Sequence, residues 1–589
     1  MINIYGAGIS GLTVAHELID KGFKVNVYEK NNIAGGMARS IRNSNNIPTE
    51  HSWRGYGPFY YNLFNIMKRI PLNTIEGFNI YSVDEVKKHN TINDCWCYYK
   101  NNVYDITKFI SKHPGGKIIM HAAGKDLEHE WEEHGVEWHN NKHIIASLEK
   151  YKIGLLAEKF TNNSVYNNLR KERLQFKLLY NNKKLINDIK LIDYPYLIYL
   201  FGKVMLSNKR KQDYYKIKLE PLLKKLSKQS YHYLVDFLAG PGYGFDKNTM
   251  SLGHYGQFLE YNTFNKEYKW QVLNQPSNEG FIDPWVRYLK SKGVKFYFNH
   301  TVEKINKSNN IDSVVVNGKE LKADYHIIAL DPFTVQKIFE KSNMNEYKTY
   351  DKLNTINNQI SFRLGFNKKL NFPRDDMGFV LIDSPYNITF YPQEDHWKNI
   401  DLGKDIKSLW SGTLIISYNK GSLYGKSATQ LTKEELKKEI IHQFMECKDL
   451  KEILNNELSE KDIIFSEIFE DWEYTDGFLK TKNKKWVNNI YNEKYRPTNT
   501  TKYKNLLITG SHTKTTTSIW SMESAAESGK ITANILLSKY KKELAYLYKH
   551  QSKFYIKPFK KIDDILYKLN LPNILDMLII IIIVLILRR

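Results

Sequence analysis

Three closely spaced glycines, Gly6, Gly8 and Gly11, stand near the start of the chain, and an acid, Glu29, follows them. In a strand–turn–helix setting this spacing suits a dinucleotide pyrophosphate. Gly6 permits the tight turn, Gly8 lets backbone approach the phosphates, and Gly11 lets helix and strand pack closely. The N–H groups and dipole of the helix N-terminus favour the anion. Glu29, with Lys30 beside it, sits where an adenosine ribose is held. An acid there disfavours a 2′-phosphate, so NADP fits poorly. A second group of chemically capable residues is rich in imidazole: His113 in His-Pro-Gly-Gly, then His129, His134, His139 and His143.

The elements that position the first group are legible. Ile2 to Tyr5 reads as a strand. Leu12, Ala15, Leu18 and Ile19 recur at helical spacing, and Lys24 to Tyr28 reads as a second strand closed by Glu29. This βαβ order is what gives the glycines their meaning.

The residues that follow carry a resemblance. Gly35-Gly36, Arg39 and the segment Glu50-His51-Ser-Trp-Arg54-Gly-Tyr-Gly-Pro58-Phe-Tyr-Tyr-Asn62 resemble the extended signature of the monoamine oxidase, phytoene desaturase and protoporphyrinogen oxidase superfamily. The resemblance implies FAD, with the glycine pair and Arg39 beside pyrophosphate and flavin. It also places the 50–62 segment near the isoalloxazine ring and substrate cavity. Leu506 to Gly510 followed by Ser521-Met522-Glu-Ser-Ala525 is similar to the family's closing strand and helix, which runs under the flavin. The family commonly has an acid after that glycine, where this chain has Ser511, then His512. The run Gly293 to Val302 is similar to the strand reaching the adenine side, with Val302 a cofactor contact. Asp324 to Leu330 resembles a further strand of the same sheet. Lys514 is the nearest motif-borne lysine to the flavin.

Residues 78–156 break this pattern. Asn93-Asp94-Cys95-Trp96-Cys97, Val103 to Phe109, His113-Pro-Gly-Gly116, Ala123-Gly124 and Tyr151 to Gly154 resemble a cytochrome b5 domain along nearly its whole length. The resemblance implies haem b with His113 as first axial ligand. For the second, His139-Asn-Asn-Lys-His143 resembles the b5 domain of sulfite oxidases and favours His139, with His134 and His143 as alternatives. Ligation by two histidines leaves no open site for oxygen and suits electron transfer. Trp96, Phe109 and Trp131 are expected to pack the pocket. Close termini let such a domain sit in a surface loop of its host.

The expected fold class is therefore α/β. A Rossmann-like FAD domain comprises 1–77, 286–350 and 481–545, and an α+β b5-like domain is inserted at 78–156. The substrate domain combines helices at 157–285 with a mixed sheet at 351–480. A basic linker and short hydrophobic helix occupy 546–589. Leu219, Leu222, Leu223 and Leu226 mark helices, Gly240 to Phe245 a turn, and Ile360–Leu364, Gly378–Ile382, Asn387–Tyr391 and Leu414–Tyr418 strands. Tyr386, Phe390 and Trp410 read as core more readily than as cavity wall. No catalytic residue is assigned, because in flavin chemistry the cofactor performs the hydride step.

Composition narrows the function. With 42% hydrophobic residues over 589 positions, a disordered chain is excluded. Lys and Arg total 86 against 64 acids, a formal charge of +22. No basic helix or aromatic-basic repeat concentrates that charge, so nucleic acid is not expected. Three cysteines, Cys95, Cys97 and Cys447, exclude a disulfide framework. No signal peptide precedes the first strand. From Met577 to Leu587 the chain is uninterruptedly apolar, followed by Arg588 and Arg589 and preceded by lysines at 557–561. This run is expected to be a tail anchor or embedded helix, with the catalytic part cytosolic. The alternative is a terminal helix buried on protein. The expected activity is FAD-dependent oxidation of a lipid-like carotenoid or polyprenoid substrate, with a b5 reductase or quinone as one-electron partner. Amine oxidation, or a redox carrier without turnover, are the alternatives.

Overall fold

In the computed structural model the chain is described at all residues except 52–53, 73–78, 101, 157–163, 172–175, 182–188, 239–247, 265–269, 355–358, 373–377, 551 and 588–589. The turn expected at Gly240 to Phe245 lies outside the described residues.

Five short strands form a wholly parallel sheet: β1 (Ile2–Tyr5), β2 (Val25–Tyr28), β3 (Lys295–Tyr297), β4 (Tyr325–Ile328) and β5 (Leu506–Ile508), in the order β3-β2-β1-β4-β5. Covered on both faces, β1, β4 and β5 are buried at every position, as a parallel sheet between helices demands. Helix α1 (Ile9–Ile19) follows β1, and α3 (Met522–Lys539) packs across it. The approach is close because Gly529 faces Thr13: a Cβ on Gly529 would stand 2.6 Å from Thr13 Cβ. Between them in sequence, α2 (Tyr194–Met205) belongs to the helical region.

The substrate region is a six-stranded mixed sheet, in spatial order Phe176–Leu179, Gly378–Leu381, Ile388–Pro392, Ser408–Leu414, Ile360–Phe366 and Ile463–Ile468. Its core gathers Phe362, Phe366, Phe390, Trp410 and Phe444. The strand expected at Leu414–Tyr418 is instead Ser408–Leu414, and it ends where the expected one begins. Every position of Ser408-Leu-Trp-Ser-Gly-Thr-Leu is buried, so this strand carries no polar–apolar alternation to mark it in the sequence. The expected leucine helices form short turns, with Leu219, Leu223 and Leu226 buried.

Residues 79–156 make a separate five-stranded sheet, ordered Asn79–Tyr81, Lys152–Leu156, Asn102–Asp105, Asp94–Tyr99 and Asn90–Thr91, with short helices on it. Its own core contains Cys95, Cys97, Tyr104, Ile110 and Trp131. The host closes beneath the insertion: Val165 N donates to Ile70 O at 2.9 Å, and Pro71 bridges Ser164.

At the far end, α4 (Lys557–Lys568) and α5 (Ile574–Leu587) form a helical hairpin against α2. The expected terminal helix is present. Among the described residues, however, no helix is long and apolar enough to cross a membrane, which corrects the transmembrane part of the expectation. At 14 residues, α5 reaches about 21 Å against the roughly 30 Å of a hydrocarbon core.

Candidate functional site

A cavity of about 340 Å³ begins at the first glycine turn and ends against the substrate sheet. Gly6 has φ +110°, and a Cβ there would meet Ala329 O at 2.4 Å. Gly11 does not line the cavity. It lies beneath the turn, where a Cβ would stand 2.0 Å from Gly6 O, so its role is close packing, as its motif position predicts. Gly8 has nothing nearer its missing Cβ than Gly36 Cα at 3.9 Å. No side chain caps α1 at Gly8, so its first-turn amides are left for a ligand.

Glu29 is buried at the end of β2. One carboxylate oxygen accepts from Ala7 N at 2.8 Å, and the other from Asn31 N at 3.0 Å and Asn31 Nδ2 at 2.8 Å. These bonds fix the carboxylate against the cavity, which Lys30 and Asn31 also line. Arg39 donates to Gly36 O at 3.0 Å and to Asp471 at 2.8 Å, tying the glycine pair to the substrate domain. At the opposite side Gly510, Ser511, Ser521, Met522 and Ala525 all line the cavity. Ser521 caps α3, its hydroxyl accepting from Ser524 N at 3.1 Å.

The structure thus brings together every expected cofactor residue except Gly11 and Val302. Val302 does not line this cavity: β3 stops at Tyr297, and Val302 opens a separate three-stranded antiparallel sheet. Asn299, with φ +57°, turns the chain between the two strands. After Tyr297 the chain stays tied to the end of β2, His300 N donating to Glu29 O at 2.8 Å.

Tyr386, Phe390 and Trp410 are core, as the blander reading had it. Their strand neighbours Thr389, Tyr391 and Thr413 face the cavity, because side chains alternate along a strand. Lys514 is exposed and lines nothing. The cavity lysine that sequence reasoning did not find is Lys485. It is buried, and its Nζ donates to Gln359 O at 3.4 Å. Burial, then repulsion from Arg54, brings its pKa down to about 7. His51, from the segment placed near the flavin, stacks on Phe469 and lines the same wall. Its Nδ1 lies 3.3 Å from Ser361 Oγ, and its buried Nε2 has no hydrogen-bond partner among the described residues. Burial, then Lys485 and Arg54, holds it well below the ordinary histidine range, so it is neutral. Lys485 has no motif around it; only a lysine flanked by Trp486 in an otherwise polar loop hinted at burial.

In the inserted domain, the His113 and His139 rings face each other with centres 6.4 Å apart and planes 22° apart. Two imidazoles bound through nitrogen to one metal, at about 2 Å each, require ring centres roughly 6 Å apart. His139 Nδ1 lies 2.9 Å from Val136 O and donates to it, which leaves Nε2 as the ligand atom. Burial lowers the His113 pKa and favours its neutral, ligating form. The alternatives fail on position: His143 is exposed on its helix, and His134 lies beside His121 and 3.5 Å from Glu130. Phe109 meets His113 edge-on, and Trp131 lies nearly parallel to His139. The donor set and its spacing fit haem b.

Comparisons with known proteins agree with this division. Residues 82–157 match the family profile "Cytochrome b5-like Heme/Steroid binding domain", and residues 4–70 match "NAD(P)-binding Rossmann-like domain". Cytochrome b5 of Drosophila melanogaster is 44% identical over 75 residues, 13% of this chain and 53% of that protein. The ceramide very long chain fatty acid hydroxylase SCS7 of Saccharomyces cerevisiae is 39% identical over 87 residues, 14% of this chain and 23% of that protein. The chain thus spans about half, or less, of the length of these curated relatives. Among solved structures, putrescine oxidase bound to putrescine superposes with a TM-score of 0.55 at 11% identity, over 91% of this chain and 98% of that one. The chain is a Rossmann-type flavoprotein fold with a b5 domain set inside it. The cavity, opening on unfilled first-turn amides and a fixed ribose acid, fits FAD.

Proposed function

We propose that this protein is an FAD-dependent oxidoreductase that dehydrogenates a lipid-like substrate, of carotenoid or polyprenoid type, and exchanges single electrons through its own b5 domain. The observation that carries the reading is the single cavity shared by the cofactor residues and the inner face of the substrate sheet. When bound, FAD supplies hydride acceptance and haem b one-electron transfer. The chain's residues do the rest. Gly8 and the α1 amides hold the diphosphate, Glu29 holds the ribose, and the N-terminus of α3 at Met522 favours negative charge on the ring system. Thr389, Tyr391, Thr413 and Ile415 form the substrate wall. Lys485, poised near neutrality at Nζ, can hold or release a proton there.

The fold it shares with putrescine oxidase favours amine oxidation as a second reading. The state of the cavity's acids disfavours it: Glu29 is held by the amides of Ala7 and Asn31, and Asp331 accepts from Thr334 N, so a cationic amine would find these two lining carboxylates already engaged. The b5-bearing relative that hydroxylates ceramide fatty acid is a precedent for pairing this module with lipid oxidation. The apolar run of α5 supports attachment to a membrane from the cytosolic side, which suits such a substrate. A b5 reductase or a quinone would serve as partner for the haem. The test is an anaerobic screen of the purified holoprotein, with polyprenoids, carotenoid precursors and amines as substrates. Flavin bleaching by a polyprenoid or carotenoid precursor, followed by haem reduction, is expected. Bleaching by amines alone would overturn the lipid reading, and bleaching by none would leave a redox carrier.

A further inference from the structure

Helix α4 is amphipathic in the reverse sense from a surface helix of a globular protein. Its polar side chains face the protein. Asp563 is fully buried, accepting from Ser207 Oγ at 2.7 Å and Asn573 Nδ2 at 3.0 Å, with Arg210 Nε at 3.4 Å. Asp564 accepts from Lys209 N at 2.9 Å, Lys560 pairs with Glu260 at 3.1 Å, and Tyr567 donates to Asp213 at 2.8 Å. Its apolar side chains face outward: Phe559, Ile562, Ile565 and Leu569 are 45, 46, 57 and 62% exposed. Their spacing places them along one side of the helix. A helix that bonds its acids inward and shows its isoleucines outward would be unfavourable in water.

The charges beside the stripe say what covers it. Lys557, Lys561 and Lys568 are exposed along α4, whereas both of its acids are turned to the protein. An outward face of apolar residues flanked only by cations matches the interface of an anionic bilayer. The next element agrees. On α5 every residue from Leu578 to Leu587 is exposed, around the whole helix. The hairpin is also held firmly: Asp576 accepts from Lys203 Nζ at 2.9 Å, and a Cβ on Gly202 would meet Leu575 at 3.0 Å.

We infer that α4 is an in-plane membrane-docking helix, which lies in the headgroup region of an anionic bilayer with Phe559, Ile562, Ile565 and Leu569 inserted. The inference rests on the membrane part of the proposed function and adds to it. Attachment has two components: shallow insertion of α5, indifferent to lipid charge, and docking of α4, which requires anionic lipid.

The test uses the full chain and vesicle sedimentation, with phosphatidylcholine alone or mixed roughly 3:1 with phosphatidylserine. One variant silences the tail (Ile581→Asp with Val584→Asp), one silences the face (Ile562→Ser with Ile565→Ser), and one combines both. Unchanged flavin and haem absorbance confirms that each folds. The tail-silenced protein is expected to bind the anionic vesicles, to be released by high salt, and to ignore phosphatidylcholine. Adding the face changes should reduce that binding by about tenfold or more. If tail-silenced protein binds neither vesicle while the parent binds both, the role of α4 is refuted and the tail stands. If the parent binds neither, the membrane reading itself falls. If the face changes instead lower the solution mass measured by light scattering, the stripe is a contact between copies and the inference is overturned.

Discussion

Gly8→Ala separates cofactor binding from folding, because the two consequences of one methyl group fall on different partners. Gly8 has ordinary extended backbone, φ −78° and ψ 179°, which alanine adopts freely. Its new Cβ would meet only Gly36 Cα, at 3.9 Å, which is normal van der Waals contact. The protein alone should therefore keep its stability to within about 0.5 kcal/mol. The methyl group would instead occupy the floor on which the FAD pyrophosphate rests. Overpacking by one methyl costs about 1–3 kcal/mol, which is roughly a 5- to 150-fold loss of FAD affinity. Gly11→Ala is the contrasting case. Its Cβ would stand 2.0 Å from Gly6 O, so β1 and α1 must part, and both stability and affinity should fall. The assay is fluorescence titration of apoprotein with FAD, beside thermal melts of the same apoprotein. FAD affinity unchanged in Gly8→Ala would refute the placement of the pyrophosphate. A melt lowered as much as in Gly11→Ala would refute the claim of open space.

Further outcomes follow from the same geometry. His139→Ala and His113→Ala should each abolish the low-spin haem spectrum, while His134→Ala and His143→Ala leave it intact; a low-spin spectrum surviving in His139→Ala would reject the 6.4 Å ring pair as the axial set. Lys485 titrates at about 7 in the fold against an ordinary 10.5, so between these values the unfolded chain binds more protons. Flavin-free protein should thus gain stability as pH rises through that window, by at most about 1.4 kcal/mol per unit. Lys485→Met should flatten the slope in pH-dependent denaturant melts, and an unchanged slope would show that the lysine is not buried as described. Glu523 runs the other way: burial raises it to about 7 from 4.5, so stability from this group is present below 4.5 and is lost as pH rises to 7. Glu523→Gln, whose single amide oxygen can still accept from Asn62 but whose NH2 cannot accept from Leu63 N, should remove that loss in acid-side melts at the cost of one hydrogen bond.

What was legible in the sequence was what local chemistry dictates. A tight turn over a phosphate needs glycine at fixed offsets, so Gly6, Gly8 and Gly11 are readable once the flanking strand and helix are recognised, and Gly35 and Gly36 through the family resemblance. The His113 ligand is likewise held by its neighbours. His139 is favoured over His134 and His143 by the resemblance of its His-Asn-Asn-Lys-His segment, and the geometry adds what sequence cannot, because the 6.4 Å spacing is a property of the folded domain. The break between Tyr297 and Val302 was not legible, because a left-handed Asn299 turns the chain there and asparagine adopts that conformation without a sequence marker as clear as glycine. Lys485 escaped for a deeper reason. Its burial arises from long-range partners, Gln359 on one side and Arg54 on the other, and nothing local to residues 483–487 encodes them.

The position of the insertion follows from the same physics. The host brings Ile70 and Val165 into hydrogen-bond contact on its own account, and the inserted domain pairs its first and last strands, Asn79–Tyr81 with Lys152–Leu156, in parallel. Each unit therefore presents adjacent ends, and neither needs the other to close its sheet. The residues just before the junction are not neutral, however. Tyr60 lines the cavity, and the helix Tyr61–Met67 begins with Asn62, whose N–H and side chain donate to Glu523 on α3 at 2.8 and 2.9 Å. Leu155, on the last b5 strand, is buried within the main apolar core of the flavin fold. The junction thus joins the haem domain to a helix that starts beside the cavity-lining Tyr60 and is bonded to α3. An insertion there holds the two redox modules at high effective concentration without adding a residue to the cavity itself.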